Sequence, residues 1–232
     1  FQLTKVDPEA SAKKIRTIAE RHATMLTGIT SLAYDTPGYG YGVKDSDGVP
    51  VMQKRLSEIA KDFDVPYVLD NAWGVPFIGH DISKSGADVI IYSMDKASES
   101  PTSGLIIGKE EFMVPIRRAM GMHGDRYGTT SSYGKAAYVG FDPGKEAMLG
   151  MIAALKELKE NPDDLKKPVD DMYNIIKEEF DQIHPKIKKG LIISKSYNCR
   201  SVEVNYEKTW DGDELGFPIF SIEDMYGGSH LL

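Results

Sequence analysis

Two short apolar runs end on residues that could do chemistry together. The first, Tyr67-Val68-Leu69-Asp70-Asn71-Ala72-Trp73-Gly74, closes on a carboxylate, and the second, Asp88-Val89-Ile90-Ile91-Tyr92-Ser93-Met94-Asp95-Lys96, closes on an amine. Both are continuous and rich in β-branched residues, the pattern of strands buried on both faces of a parallel sheet. The stretch between them is long enough for a crossover. The two strands are therefore expected side by side, with Asp70 and Lys96 at the same carboxyl edge, where open α/β sheets bind ligands. A lysine facing a carboxylate across such a crevice points to pyridoxal phosphate.

The chemistry explains why these residue types belong together. An amine forms a Schiff base only when unprotonated, and burial beside a cofactor favours that form of a lysine. Lys96 is the expected tether. The cofactor withdraws electrons only while its pyridine nitrogen stays protonated, which a carboxylate at hydrogen-bond distance secures, and Asp70 is the expected partner. Ala72, two residues on, is small enough to let a flat ring lie against the backbone. Ser93 offers a hydroxyl to a phosphate oxygen, with Thr102 and Ser103 as further candidates.

These residues carry a family resemblance. Asp70-Asn71-Ala72-Trp73-Gly74, then Ala87 to Lys96, then Ser103-Gly104-Leu105-Ile106-Ile107-Gly108-Lys109, resembles the core of the fold-type I pyridoxal phosphate enzymes, the aspartate aminotransferase superfamily. Within it, the likeness is to the selenocysteine synthase branch and its ammonia-lyase relatives, whose Ser-x-Asp-Lys segment leads into a Gly-Ile-Ile-x-Gly-Lys strand. Asp142-Pro143-Gly144-Lys145-Glu146 and the apolar helix after it, to Leu155, also fit that branch. The resemblance covers roughly residues 25 to 160, and its motifs are specific only in combination. It departs from the selenocysteine synthase pattern at Ala97-Ser98-Glu99-Ser100-Pro101-Thr102, which replaces a leucine and glycine-rich run. The resemblance implies an α/β fold of the pyridoxal phosphate-dependent transferase kind. It implies lyase or transferase chemistry on an amino acid or amino-sugar acid, by β-elimination or replacement through a carbanion at the α-carbon. Transamination is the alternative within the enzyme class, and a non-catalytic binding or scaffold module is the alternative outside it. The resemblance also implies a homo-oligomer with sites at subunit interfaces.

Composition sets the outer bounds. A chain of 232 residues with 41% hydrophobic content can bury a full core. No apolar run approaches membrane-spanning length and no secretory pattern opens the chain, so a cytoplasmic location is expected. The single cysteine, Cys199, excludes an internal disulfide and reads as a packing residue. The net charge of −7 argues against a nucleic-acid partner and favours a small-molecule substrate. The five histidines show no metal-ligand spacing.

Turn and cap signals divide the chain. Asp7-Pro8-Glu9 opens an amphipathic helix to about His22, and a strand is expected over Met25 to Ala33. Glycine and proline make Asp35 to Gly42 a loop, from which Thr36 or Tyr39 could reach the cofactor. Its Gly38-x-Gly40-x-Gly42 run is not a dinucleotide fingerprint. Helices are expected over Val51 to Phe63, Glu110 to Met120, Pro143 to about Glu160 and Pro162 to about Ile183, with strands at Gly104 to Gly108, Leu191 to Ser194 and Ser201 to Tyr206. Residues 1 to 145 read as part of a cofactor-binding large domain, and 146 to 232 as a connecting helix and a smaller α+β domain. The phosphate-holding turn and ring-stacking residue that the family places earlier are not recognisable. The expectation is a fragment or split gene product completed by a second segment or chain.

The remaining candidates have plainer readings beside the functional ones. Asp70 could simply bond the next turn, and Ser93 could cap one. His123, Arg126 and the cluster Thr129 to Ser132 form a polar loop that is either solvated or a carboxylate or phosphate clamp reaching a neighbour's site. Trp73 and Phe77 read as packing residues. Asp163, Asp164 and the charges from Lys186 to Lys189 read as solvated surface.

Overall fold

The computed structural model describes residues 8–33, 43–78, 82–119, 144–188 and 191–206. Four strands, β1 (Ile29–Leu32), β2 (Tyr67–Asp70), β3 (Val89–Ser93) and β4 (Gly104–Gly108), form one sheet in the order β1-β2-β3-β4. The first three are parallel. Leu32 lies opposite Asp70, and Asp70 opposite Ile91. β4 returns antiparallel to β3, with Ser93 opposite Gly104. The strand expected over Met25 to Ala33 is the shorter β1, and Met25 is an exposed residue outside it.

One face of this sheet is closed by two helices, α1 (Pro8–Arg21) and α2 (Val51–Asp62). Met52, Leu56 and Ile59 of α2 bury their apolar stripe against Tyr67 and Leu69 of β2 and Tyr92 of β3. Exposed ion pairs, Arg55 with Glu9 at 2.8 Å and Arg16 with Asp62 at 2.6 Å, join the two helices outside that core. The expectation of burial on both faces holds only in part on the opposite face: Val89 is buried there, Val68 is half-buried, and Thr30 and Ile91 are exposed.

The crossover from β2 to β3 passes through a 3₁₀ turn, Ile82–Ser85, and then Gly86. Gly86 has φ +83°, and a Cβ there would lie 2.3 Å from Ser57 Oγ of α2, whose hydroxyl donates to the Gly86 carbonyl at 3.1 Å. Asp88 then pins the strand starts. It accepts the Tyr67 N–H at 2.8 Å and the Lys109 ammonium at 2.5 Å, holding β2 and the end of β4 beside β3.

After α3 (Glu110–Ala119), the described chain resumes at α4 (Gly144–Glu160) and α5 (Pro162–Gln182). Met151 and Leu155 of α4 pack against the main core. The last elements, β5 (Leu191–Ser196) and β6 (Ser201–Tyr206), pair antiparallel as a separate hairpin that lies on α5. Among the described residues no helix is long and apolar enough to cross a membrane.

Gly86→Ala is expected to destabilise the fold by about 1–3 kcal/mol, the cost of a non-glycine residue at positive φ, with a steric contribution on top. Urea denaturation of Gly86→Ala and of the pair Ser57→Ala/Gly86→Ala checks this. The second should recover the steric part only.

Candidate functional site

The carboxyl ends of β2 and β3 place the two reactive residues. Residues paired across a sheet point the same way, so Asp70, its partner Ile91 and Ser93 share the face away from α1 and α2. Asp70 is half-buried and its Oδ1 accepts the Ala72 N–H at 3.0 Å. That is the turn-forming bond of the plainer reading. Among the described residues it leaves Oδ2 without a hydrogen bond.

The turn after Asp70 is rigid for identifiable reasons. Asn71 donates its backbone N–H to the Ile91 carbonyl at 2.8 Å and accepts the Gly74 N–H at 2.9 Å. Its side chain is fully buried, and a Cβ at Gly74 would come within 1.9 Å of its Oδ1. Only glycine fits there. The Tyr92 phenol, pushed up by burial and drawn back by the Asn71 carboxamide, closes the same corner.

Lys96 sits in the turn after β3, and its Nζ lies 5.0 Å from the centroid of the Trp73 ring, three residues beyond Asp70. This cation–π contact brings the end of the second strand to the loop following the first. Lys96 is exposed, and among the described residues its ammonium has no hydrogen-bond or ion-pair partner. Ser93 donates its hydroxyl to Asp95. Ser103 is turned to the Pro101 carbonyl at 2.8 Å, and Thr102 is exposed. Ala72 is half-buried within the Asp70 turn. Trp73 is half-buried under Lys96, whereas Phe77, expected to pack, is 65% exposed with φ +70°. Thr36, Tyr39, His123, Arg126 and the cluster Thr129 to Ser132 lie outside the described residues. No group of histidine, cysteine or carboxylate side chains able to hold a metal occurs among the described residues.

The sequence reading missed the turn of the C-terminal hairpin. Asn198 is fully buried; its side-chain amide donates to the Ile78 carbonyl at 3.1 Å, and its carbonyl accepts the Val75 N–H at 2.9 Å. Arg200 donates from Nη1 to the Ala97 carbonyl at 2.8 Å and to Glu99 at 2.6 Å. Beneath these bonds Val75, Ile78 and Leu158 of α4 form a second small core, flanked by Ala97, Leu165 and Tyr197. Each such buried aliphatic contributes about 1.5–3 kcal/mol, more than a hydrogen bond's net 0.5–1.5 kcal/mol, so burial holds the seam and the polar groups orient it. On the far side Lys195 and Tyr197 both donate to Asp170 of α5 at 2.6 Å. Cys199 is half-buried in the turn, its N–H donating to Ser196 Oγ. Asn198 between two apolar strands was the available signal, since asparagine favours turns.

No family model matches the chain. A curated relative, the O-phospho-L-seryl-tRNA:Cys-tRNA synthase 2 of Methanocorpusculum labreanum, is 23% identical over 157 residues, covering 64% of this chain and 40% of that protein. The chain thus spans less than half the length of the curated relative. Among solved structures, a SepCysS–SepCysE N-terminal domain complex is 17% identical with a TM-score of 0.46, covering 78% of this chain and 44% of that one. A putative cystathionine beta-lyase of Clostridium acetobutylicum is 17% identical with a TM-score of 0.48, covering 86% and 41%. These structural likenesses are too low to add to the site.

One expected outcome concerns the hairpin anchor. The hydrogen bonds from Lys195 and then Tyr197 hold the Asp170 carboxyl below its ordinary range. A carboxyl so lowered stabilises the fold above its unfolded pKa, and that contribution is lost as pH falls through the folded value. Asp170→Asn should therefore flatten the acid limb of the melting-temperature profile below about pH 4, the ordinary carboxylate value. Thermal melts between neutral and acid pH, variant against parent, check it.

In its sequence motifs the chain resembles the pyridoxal phosphate-dependent lyases and transferases of fold type I, and over 157 residues it is similar to an O-phospho-L-seryl-tRNA:Cys-tRNA synthase.

Proposed function

We propose that this chain carries the lysine-bearing part of a pyridoxal phosphate site and acts on the α-carbon of an amino acid or amino-sugar acid, with β-elimination or replacement as the outcome. The observation that supports it most is the pairing at one sheet edge. Asp70 ends β2 with, among the described residues, one carboxylate oxygen free of hydrogen bonds, and Lys96 follows the adjacent parallel β3 with its amine against Trp73 and no anion beside it among those residues.

These residues fit the group. Lys96 would hold it through its amine and Asp70 Oδ2 would accept the ring N–H. Ala72, small and half-buried in the Asp70 turn, would let a flat ring approach the backbone. When bound, pyridoxal phosphate supplies an electron-withdrawing ring that takes up negative charge formed at the substrate α-carbon. The chain's own work is proton handling. With the group bound, the Lys96 amine would serve as the base for the substrate α-proton and as the acid that returns a proton. Asp70 would hold the proton on the ring nitrogen by accepting its hydrogen bond. The Trp73 ring lies 5.0 Å from the amine and leaves its charge unneutralised, as a carboxylate partner would not.

The net charge of −7 favours a free small-molecule substrate. The family's habit of pairing subunits supports a homo-oligomer, with His123 and Arg126 as substrate-facing candidates.

Lys96→Ala is expected to abolish the visible absorption that pyridoxal phosphate acquires on attachment to a lysine, with the fold retained. Borohydride reduction and peptide mapping of the parent should tag Lys96, and a tag on another lysine would sink the assignment. Asp70→Asn is expected to retain most of the cofactor while slowing α-proton exchange by orders of magnitude. A purely structural Asp70 would instead cost about 0.5–2 kcal/mol of stability, the scale of a lost cap, and leave exchange per folded molecule unchanged. Product analysis, keto acid with ammonia against transferred amino group, separates elimination from transamination.

A further inference from the structure

The Lys96 turn is gripped from outside its own strands. Arg200 donates from one guanidinium nitrogen to both the Ala97 carbonyl and the Glu99 carboxylate, while Asn198, two residues earlier, bonds the 71–78 loop at Val75 and Ile78. The turn Tyr197 to Arg200 therefore holds both members of the Lys96–Trp73 pair. Glu99 in turn closes the Lys96 turn by donating its N–H to the Lys96 carbonyl at 3.0 Å.

The contact is made by two strained residues. Glu99 has φ +56° and Arg200 φ +51°, and neither is glycine. Such backbone persists only where surrounding contacts over-determine it. Here the contacts are each other, with the Val75, Ile78 and Leu158 core beneath.

We propose that Arg200 is a positioning residue for Lys96, fixing where the amine stands over Trp73. The proposal rests on Lys96 being the reactive amine of the proposed function. Releasing Arg200 lets the 97–99 backbone leave its strained geometry, and Lys96, one residue upstream, moves with it.

The test needs no cofactor. The purified protein and its variants Arg200→Gln and Glu99→Gln are labelled with trace acetic anhydride across a pH series, and the acetylation rate of Lys96 is read against exposed Lys156 by mass spectrometry. Thermal melts are run on the same samples. In each variant the relative rate of Lys96 is expected to change about two- to thirtyfold, the span of 0.5–2 kcal/mol of coupling, or its pH midpoint to move. Arg200→Lys, which can keep one of the two bonds, should fall between parent and Arg200→Gln. An unchanged relative rate and midpoint for Lys96 would overturn the proposal whatever the melting temperature does. If Arg200→Gln fails to melt cooperatively, Glu99→Gln decides alone, since it keeps the bond to the Ala97 carbonyl. Borohydride mapping with pyridoxal phosphate is independent: a tag elsewhere ends the functional reading and leaves the positioning result standing.

Discussion

The hydrogen bond from the Asn71 N–H to the Ile91 carbonyl is the last rung between β2 and β3, and the candidate site hangs from it. It fixes which residue of each strand reaches the sheet edge. A one-residue slip of register would turn Asp70 toward α2 and the core and put Leu69 on the open face. The same residue then dictates the path beyond the rung. Its buried side chain tolerates only glycine at position 74, and the tight turn that results sets Trp73 under the next strand's lysine.

Around this rung the molecule uses apolar burial for cohesion and polar groups for aim. The main core joins α2 to the sheet and reaches α4 through Met151 and Leu155. The smaller core joins α4 and α5 to the two loops beyond the strand ends. Gly150 lets α4 come close to Pro101, where a Cβ would lie 2.6 Å from the proline ring, so the segment after Lys96 is backed by a helix as well as by the hairpin. An exposed lysine is thus mounted on a loop with little freedom.

The sequence showed the two strand ends clearly, because continuous apolar runs, each terminated by a charged residue, have few other readings. Their adjacency followed from an intervening stretch long enough for a crossover. Helix starts at Pro8, Gly144 and Pro162 were legible from proline and glycine signals that act within a turn. Three things were not. The antiparallel return of β4 leaves no mark in Gly104-Leu105-Ile106-Ile107-Gly108, since an apolar run does not state its direction. The open face at Ile91 was hidden because a half-covered strand and a fully covered one look alike when both faces are apolar. The grip of Asn198 and Arg200 depends on residues more than a hundred positions away, beyond the reach of any local pattern.

That separation orders the assembly of the site in time. Ser100 closes the Lys96 loop on Met94, six residues away, whereas Arg200 reaches Ala97 across 103 residues. By the logarithmic law of loop closure the longer contact costs roughly 2.5 kcal/mol more entropy to form from an open chain. The strand–loop–strand unit around Lys96 is built from low-contact-order contacts, whereas its outer brace is not. During synthesis Lys96 emerges about a hundred residues before Arg200, so its loop is without that brace until the hairpin follows.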